Sequence, residues 1–175
     1  MVRYIIQIFT VMLFTGLVYA DDTMYILHDK CINSLYEPAV MHFENSEISV
    51  LRDSRGVILR FKLDSPIDEY TLLTAKTGEK LYKIRDFLAK IKNPVIIEVH
   101  TAEDSTGNIR AEKNWEISAV IAGKIETAVC GEDIPVNRVH SVGYGEFLPE
   151  NNTSNNGGKL LNRVDIIILC NINGE

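Results

Sequence analysis

The chain has 175 residues, 46% of them hydrophobic, and it carries 24 acidic against 18 basic side chains, a net charge of −6 at pH 7. An acidic excess of this kind repels a phosphate backbone and argues against a nucleic-acid partner. The apolar fraction and the length suit one globular core with an extension.

The first segment predicts export. Arg3 precedes an apolar run from Tyr4 to Val18, interrupted by Gln7, Thr10, Thr15 and Gly16, and the run ends in Val18-Tyr19-Ala20 before Asp21-Asp22. This is the order of a secretory signal peptide, with small residues at the third and first positions before the cut, so residues 1–20 are expected to leave after Ala20. The alternative is an N-terminal membrane anchor, since the run continued through Ala20 reaches the lower limit of a bilayer span, about 17 residues. No cysteine stands at the cleavage point, which argues against lipidation, and no acidic residue in the run offers a proton path.

Residues 21–45 form an N-terminal extension to which no element is assigned, because Tyr25, Ile26, Leu27, Leu35, Tyr36, Val40 and Phe43 keep neither a helical nor a strand period. Ile48, Val50 and Leu51, then Arg52-Asp53-Ser54-Arg55-Gly56, then Val57, Ile58, Leu59 and Phe61 read as two strands around a glycine turn. Leu81, Ile84, Leu88 and Ile91 make one stripe of an amphipathic helix that stops at Asn93-Pro94.

Val95 to Val99 is the next strand, and a polar loop from His100 to Lys113 leads out of it. Asn114 is the expected N-cap of a second helix whose Ile117, Ile121, Ile125 and Val129 lie a turn apart. A strand over Val139 to Val142 runs into Gly143-Tyr144-Gly145-Glu146, and an Asn- and Gly-rich loop occupies 151–158. Val164 to Cys170 is nearly all apolar, as befits a central strand buried on both faces. The whole predicts an α/β two-layer sandwich, helices packed on a mixed sheet, over residues 46–175.

Cys31, Cys130 and Cys170 allow one disulfide with one thiol left over, or three cysteines buried as small hydrophobes; sequence leaves the pairing open. The four histidines and three cysteines show no paired metal-ligand spacing, and no cofactor motif is present. His100, His140, Asp104, Ser105, Ser118 and Cys130 include the residue types of a hydrolase, yet no nucleophile motif frames them, so no enzyme is expected.

Four segments resemble one family in order along the chain. Ile97-Glu98-Val99-His100-Thr101 is similar to the strand that enters a Gly-His-Thr-Asp turn in OmpA-like domains, and Asn114-Trp115-Glu116-Ile117-Ser118 resembles the Asn-Trp-Glu-Leu-Ser of MotB proteins. Val142-Gly143-Tyr144-Gly145-Glu146 with Pro149 resembles a Gly-x-Gly-Glu-x-x-Pro segment, and Asn162-Arg163-Val164-Asp165 the Asn-Arg-Arg-Val-Glu that opens the last strand.

The resemblance implies a βαβαββ fold and non-covalent binding of peptidoglycan, through the ammonium and carboxylate on the diaminopimelate end of its stem peptide. In the family an aspartate after His-Thr takes the ammonium and an arginine in Leu-Ser-x-x-Arg-Ala takes the carboxylate. Here Ala102 stands at the first position and Ile121 at the second. Two lost charge-assisted hydrogen bonds amount to about 3 to 6 kcal/mol, a factor on the order of 10² to 10⁴ in affinity.

Glu103 and Asp104 follow Ala102 directly and can supply a carboxylate, and Arg110 lies at the loop's far end. Thr101, Glu103, Asp104, Asn114 and Arg163 are therefore the candidate ligand residues. Two functions follow from the resemblance: a cell-wall module of weakened affinity at the periplasmic side of the envelope, or a domain that keeps the fold and serves as a structural or protein-interaction element there, with other envelope proteins as partners.

Overall fold

The computed structural model describes residues 23–63, 74–101, 111–146 and 162–170. The expected signal peptide, the residues Ala102, Glu103, Asp104 and Arg110, Pro149 and the 151–158 loop lie outside the described residues. No helix among the described residues is long and apolar enough to cross a membrane.

The extension contains an unexpected element. Residues 23–42 form a helix, α1. Its buried stripe is Ile32, Leu35 and Ala39, continued by Phe43 just beyond the helix, spaced by three and four residues. Met24, Tyr25, Ile26, Leu27, Val40 and Met41 are apolar but exposed, so hydrophobicity runs around the helix and its period is masked in the sequence. Asn45, at φ 60°, turns the chain out of the helix through the left-handed region that asparagine tolerates.

Strands β1 (Ser49–Asp53) and β2 (Gly56–Lys62) make the expected hairpin. Asp53 closes it, its carboxylate accepting the backbone N–H groups of Arg55 and Gly56. Gly56 is required by close approach, because a Cβ there would lie 2.0 Å from the Ile168 carbonyl oxygen. Helix α2 (Ala75–Leu88) is capped by Thr74, whose hydroxyl accepts the Thr77 N–H. Leu81, Ile84 and Leu88 are buried as the stripe predicts, and Ile91 is half-buried beyond the helix.

Strand β3 (Val95–His100), helix α3 (Ala111–Val129), a 3₁₀ turn (Val136–Arg138), β4 (Val139–Gly145) and β5 (Arg163–Leu169) follow among the described residues. One expectation is corrected here. Asn114 is the fourth residue of α3 rather than its N-cap, because Ala111, Glu112 and Lys113 are good helix formers and carry the helix one turn earlier.

The sheet order is β1-β2-β5-β3-β4, with β3 and β4 parallel and the other neighbours antiparallel. β5 is central and buried through Val164 to Ile168. Alternation sends Val57, Leu59 and Phe61, Val95, Ile97 and Val99, and Val164, Ile166 and Ile168 into the core shared with the helices. The other face of the same strands presents Ile58 and Arg60, Ile96, Glu98 and His100, and Asp165 and Ile167.

The cysteine question resolves into one bridge and one thiol. Cys31 of α1 is bonded to Cys170 after β5, across a sequence separation of 139 and with Cα atoms 5.8 Å apart, while Cys130 is free and half-buried. The bridge fastens α1 to the end of the central strand. Arg52 braces the same helix, bonding Asn33 and Glu37 and lying 3.7 Å over the Tyr36 ring.

Candidate functional site

The four sequence segments that carry the family resemblance meet where β3, β4 and β5 come together beside the first turns of α3. Thr101 is buried, and its N–H donates to the Gly145 carbonyl at 2.9 Å. The β3–β4 register slips at this point, Val99 pairing with Gly143 but His100 with Gly145, so Tyr144 is the extra residue of a bulge. Its ring stacks on that of His100, with centroids 5.2 Å apart and 16° between planes. Gly145, at φ 56°, supplies the left-handed residue that the bulge needs.

Ser118 locks α3 onto this corner. Its hydroxyl is fully buried, accepts the Gly145 N–H at 2.9 Å and donates to the Trp115 carbonyl at 2.8 Å. The helix can come this near because Gly143 lies beneath it, where a Cβ would stand 2.2 Å from the Ala119 nitrogen. One hydroxyl thus joins the start of α3 to the end of β4, and the Thr101 N–H adds the end of β3. Removing it would leave a buried N–H without its acceptor, at a cost of about 1 to 3 kcal/mol.

Ile121, where the resemblance leads one to expect an arginine, is fully buried on the α3 ladder with Ile125 and Val129. It is a core residue. Trp115 and Val120, by contrast, are about half exposed, at 53% and 51%.

On the opposite face of the sheet lies a buried ionic cluster that no sequence spacing announced. Asp165, 3% exposed, accepts two hydrogen bonds from Arg60, at 2.6 and 2.9 Å, and one from Arg163 at 3.2 Å. Glu98 accepts from Arg55 at 2.7 Å, and Arg55 also bonds Asp53 at 2.9 Å. Burial works against the charge on Arg55, but its hydrogen bonds to Glu98 and Asp53 outweigh it and hold the guanidinium pKa above the ordinary arginine value.

His100 closes the row, its Nε2 3.9 Å from Asp165. The ligand-type atoms of Glu98, His100 and Asp165 lie within 4.8 Å of one another, as a metal site requires. Guanidinium groups already fill the carboxylate positions, however, so the cluster works as a set of ion pairs between strands. The signal in the sequence lay in residue type and not in spacing: charges of opposite sign, Arg60, Glu98 and Asp165, each flanked by apolar residues within a strand.

Of the candidate ligand residues, the structure brings Thr101 to the floor of the corner and places Arg163 across the sheet from His100, turned to Asp165. Asn114 lies in the first turns of α3. Ser118, Gly143 and Gly145 complete the corner and were visible only as members of the quoted motifs.

Among the described residues, three helices on a mixed five-stranded sheet, with these motifs gathered at one corner, define an OmpA-like domain. The chain belongs to the OmpA family, whose model matches residues 66–163. Among curated proteins it is 32% identical over 126 residues to YtxE of Bacillus subtilis (strain 168), an uncharacterised protein; the match covers 70% of this chain, which spans about half the length of that relative, 52%.

Solved structures share the fold. A protein of Desulfovibrio vulgaris described as MotB-like superposes with a TM-score of 0.65 at 20% identity, over 85% of this chain and 98% of the other. The periplasmic domain of Helicobacter pylori MotB gives 0.57 at 17% identity, over 75% and 83%. The cell wall anchor of the type VI secretion system (T6SS) of Pseudomonas aeruginosa gives 0.54 at 16%, over 80% and 97%.

Proposed function

We propose that the chain is an exported envelope protein whose OmpA-like domain associates non-covalently with peptidoglycan, more weakly than a domain holding the full ligand pair. The observation that carries this reading is the corner itself. Ser118, Gly143, Gly145 and Thr101 hold α3, β4 and β3 together at the position where the family motifs converge, and Glu103 and Asp104 follow Thr101 by two and three residues. These carboxylates are the partners for the diaminopimelate ammonium.

The carboxylate half lacks its cation, because the arginine position is a buried isoleucine. One charge-assisted hydrogen bond is worth about 1.5 to 3 kcal/mol, so its loss lowers affinity by roughly 10- to 150-fold. The Cys31–Cys170 bridge supports an oxidising compartment, in keeping with the signal-like run before Asp21. Cleavage after Ala20 gives a periplasmic protein; retention of residues 1–20 gives a membrane-tethered one.

The test is sedimentation of the purified protein with isolated sacculi. The wild type pellets with them, and combined Glu103→Gln and Asp104→Asn substitution releases it while leaving the melting curve in place. A wild type that stays in the supernatant overturns the reading. The second function, a protein-interaction domain on a retained scaffold, would then be preferred, and the fully buried Ile121 is the observation that favours it.

A further inference from the structure

We propose that the outer edge of β4 is a self-association surface, on which a second copy of this chain pairs its own β4 antiparallel and continues the sheet. The sheet has two edges, β1 and β4, and they are built differently. β1 is five residues long and its charges are tied down, Arg52 to Asn33 and Glu37 of α1 and Asp53 to Arg55. Short, charged edges of this kind resist pairing. β4 has seven residues, Val-His-Ser-Val-Gly-Tyr-Gly, with no Lys, Arg, Asp, Glu or Pro among them. Its bulge serves the corner and leaves Val139 to Gly143 in regular register with β3.

Among the described residues the hydrogen bonds of β4 run to β3, to Thr101, to Ser118 and Glu126 of α3 and, at Val139, back to Val136. A strand with a neighbour on one side leaves alternate N–H and C=O groups along the other, ready for a further strand.

Self-complementarity identifies the partner. A two-fold axis at Val142 sets this residue opposite its counterpart and His140 opposite Tyr144 of the second copy, so apolar and aromatic side chains meet and no like charges do. The nearest acid, Glu146, falls in register with Arg138 of the second copy. Arg138 donates to the carbonyl oxygens of Asn93 and Leu88 and pairs with no carboxylate among the described residues, so the two charges are complementary. The flanks agree. Val136, 65% exposed, precedes one end of β4, and Trp115, 53% exposed, belongs to the turn of α3 that Ser118 joins to Gly145 at the other. Antiparallel pairing brings the end of each strand to the start of the other, so these two apolar residues meet in exchanged order, as a two-fold contact requires.

Sedimentation equilibrium of the purified protein measures the association, and a concentration-dependent dimer is the expected result. Val142→Lys sets two ammonium groups face to face across the axis and should weaken the dimer roughly tenfold or more, with an unchanged melting curve. Val142→Cys in a Cys130→Ser background supplies the positive arm. Directly opposed residues of an antiparallel pair have Cα atoms about 4.5 to 5.5 Å apart, within the span of a disulfide, so air oxidation should link two chains covalently. Tyr82→Cys in the same background, at an exposed position on α2, should not. A monomer at every concentration with no link in the Val142→Cys variant overturns the proposal. So does a dimer that Val142→Lys leaves intact, which would put the second copy on another face, and so does equal linking by Tyr82→Cys, which would mark random collision.

Discussion

Placing an arginine at position 121 is the direct way to rebuild the family's ligand pair, and the structure predicts that it fails for reasons of packing. Ile121 is fully buried between α3 and the sheet. Exchanging it loses the burial of a large aliphatic side chain, about 1.5 to 3 kcal/mol. It also sets a guanidinium in an apolar site with no acidic partner placed for it among the described residues, an effective penalty of several kcal/mol. Together these reach about 5 kcal/mol or more, against a total stability on the order of 5 to 15 kcal/mol. At roughly 2 to 4 °C per kcal/mol for a chain of this size, Ile121→Arg should lower the melting temperature by about 10 to 20 °C. Circular dichroism melts decide it, with Ile121→Val as control at about 0.5 to 1.5 kcal/mol. A melting temperature within a degree or two of wild type would refute the placement of Ile121 in the core. Combined Ala102→Asp and Ile121→Arg would then become the fair test of a restored ligand pair.

Other outcomes follow from the described contacts. Replacing Cys31 and Cys170 by serine removes a bridge spanning 139 residues and should cost about 2 to 5 kcal/mol; an unchanged denaturant midpoint would show that α1 is held by packing alone. Burial raises the pKa of the Cys130 thiol, with the nearby Glu126 charge adding to the rise, so less thiolate is present at neutral pH than for a free cysteine. Alkylation of the native, unreduced protein should therefore modify Cys130 alone, with a rate midpoint at higher pH than a small thiol shows, and a midpoint at or below the small-thiol value would contradict this. Arg163→Gln should leave the melting temperature nearly in place, since Asp165 keeps both bonds from Arg60. The same variant should reduce sedimentation with sacculi if Arg163 serves the ligand, and a large loss of stability would instead mark it as an essential part of the ion cluster.

Much of the fold was legible because its strands and two of its helices obey simple periods. The stripe Leu81, Ile84, Leu88 and the ladder Ile121, Ile125, Val129 are the buried faces of α2 and α3, and the unbroken apolar run of β5 is the centre of the sheet. Helix α1 was hidden by its own composition. Its apolar residues circle the axis, and Pro38, a residue that opposes helix interiors, lies within it. The start of α3 was misplaced because Asn114 is a good cap by type, while the residues before it are good helix formers. Pairing of Cys31 with Cys170 depends on α1 packing against the end of β5, and no local pattern encodes a contact across 139 residues.

The ligand site divides along the same line. Motifs report which backbone positions converge, and the corner of Thr101, Ser118, Gly143 and Gly145 is their convergence. They report less about where the charges go. In this chain Arg60, Arg163 and Arg55 are engaged on the far face of the sheet, where they are bound to Asp165 and Glu98. Of the two arginines on Asp165, Arg60 makes the shorter, two-pronged contact and Arg163 the longer one at 3.2 Å. Arg163 also sits opposite His100 in register, one residue from the Thr101 corner. A ligand carboxylate drawn to Arg163 would have to compete with Asp165 for it. That exchange leaves the sheet's central ion pair intact. Arg163 therefore does not stand in for a cation at position 121 without giving up an ion pair of its own.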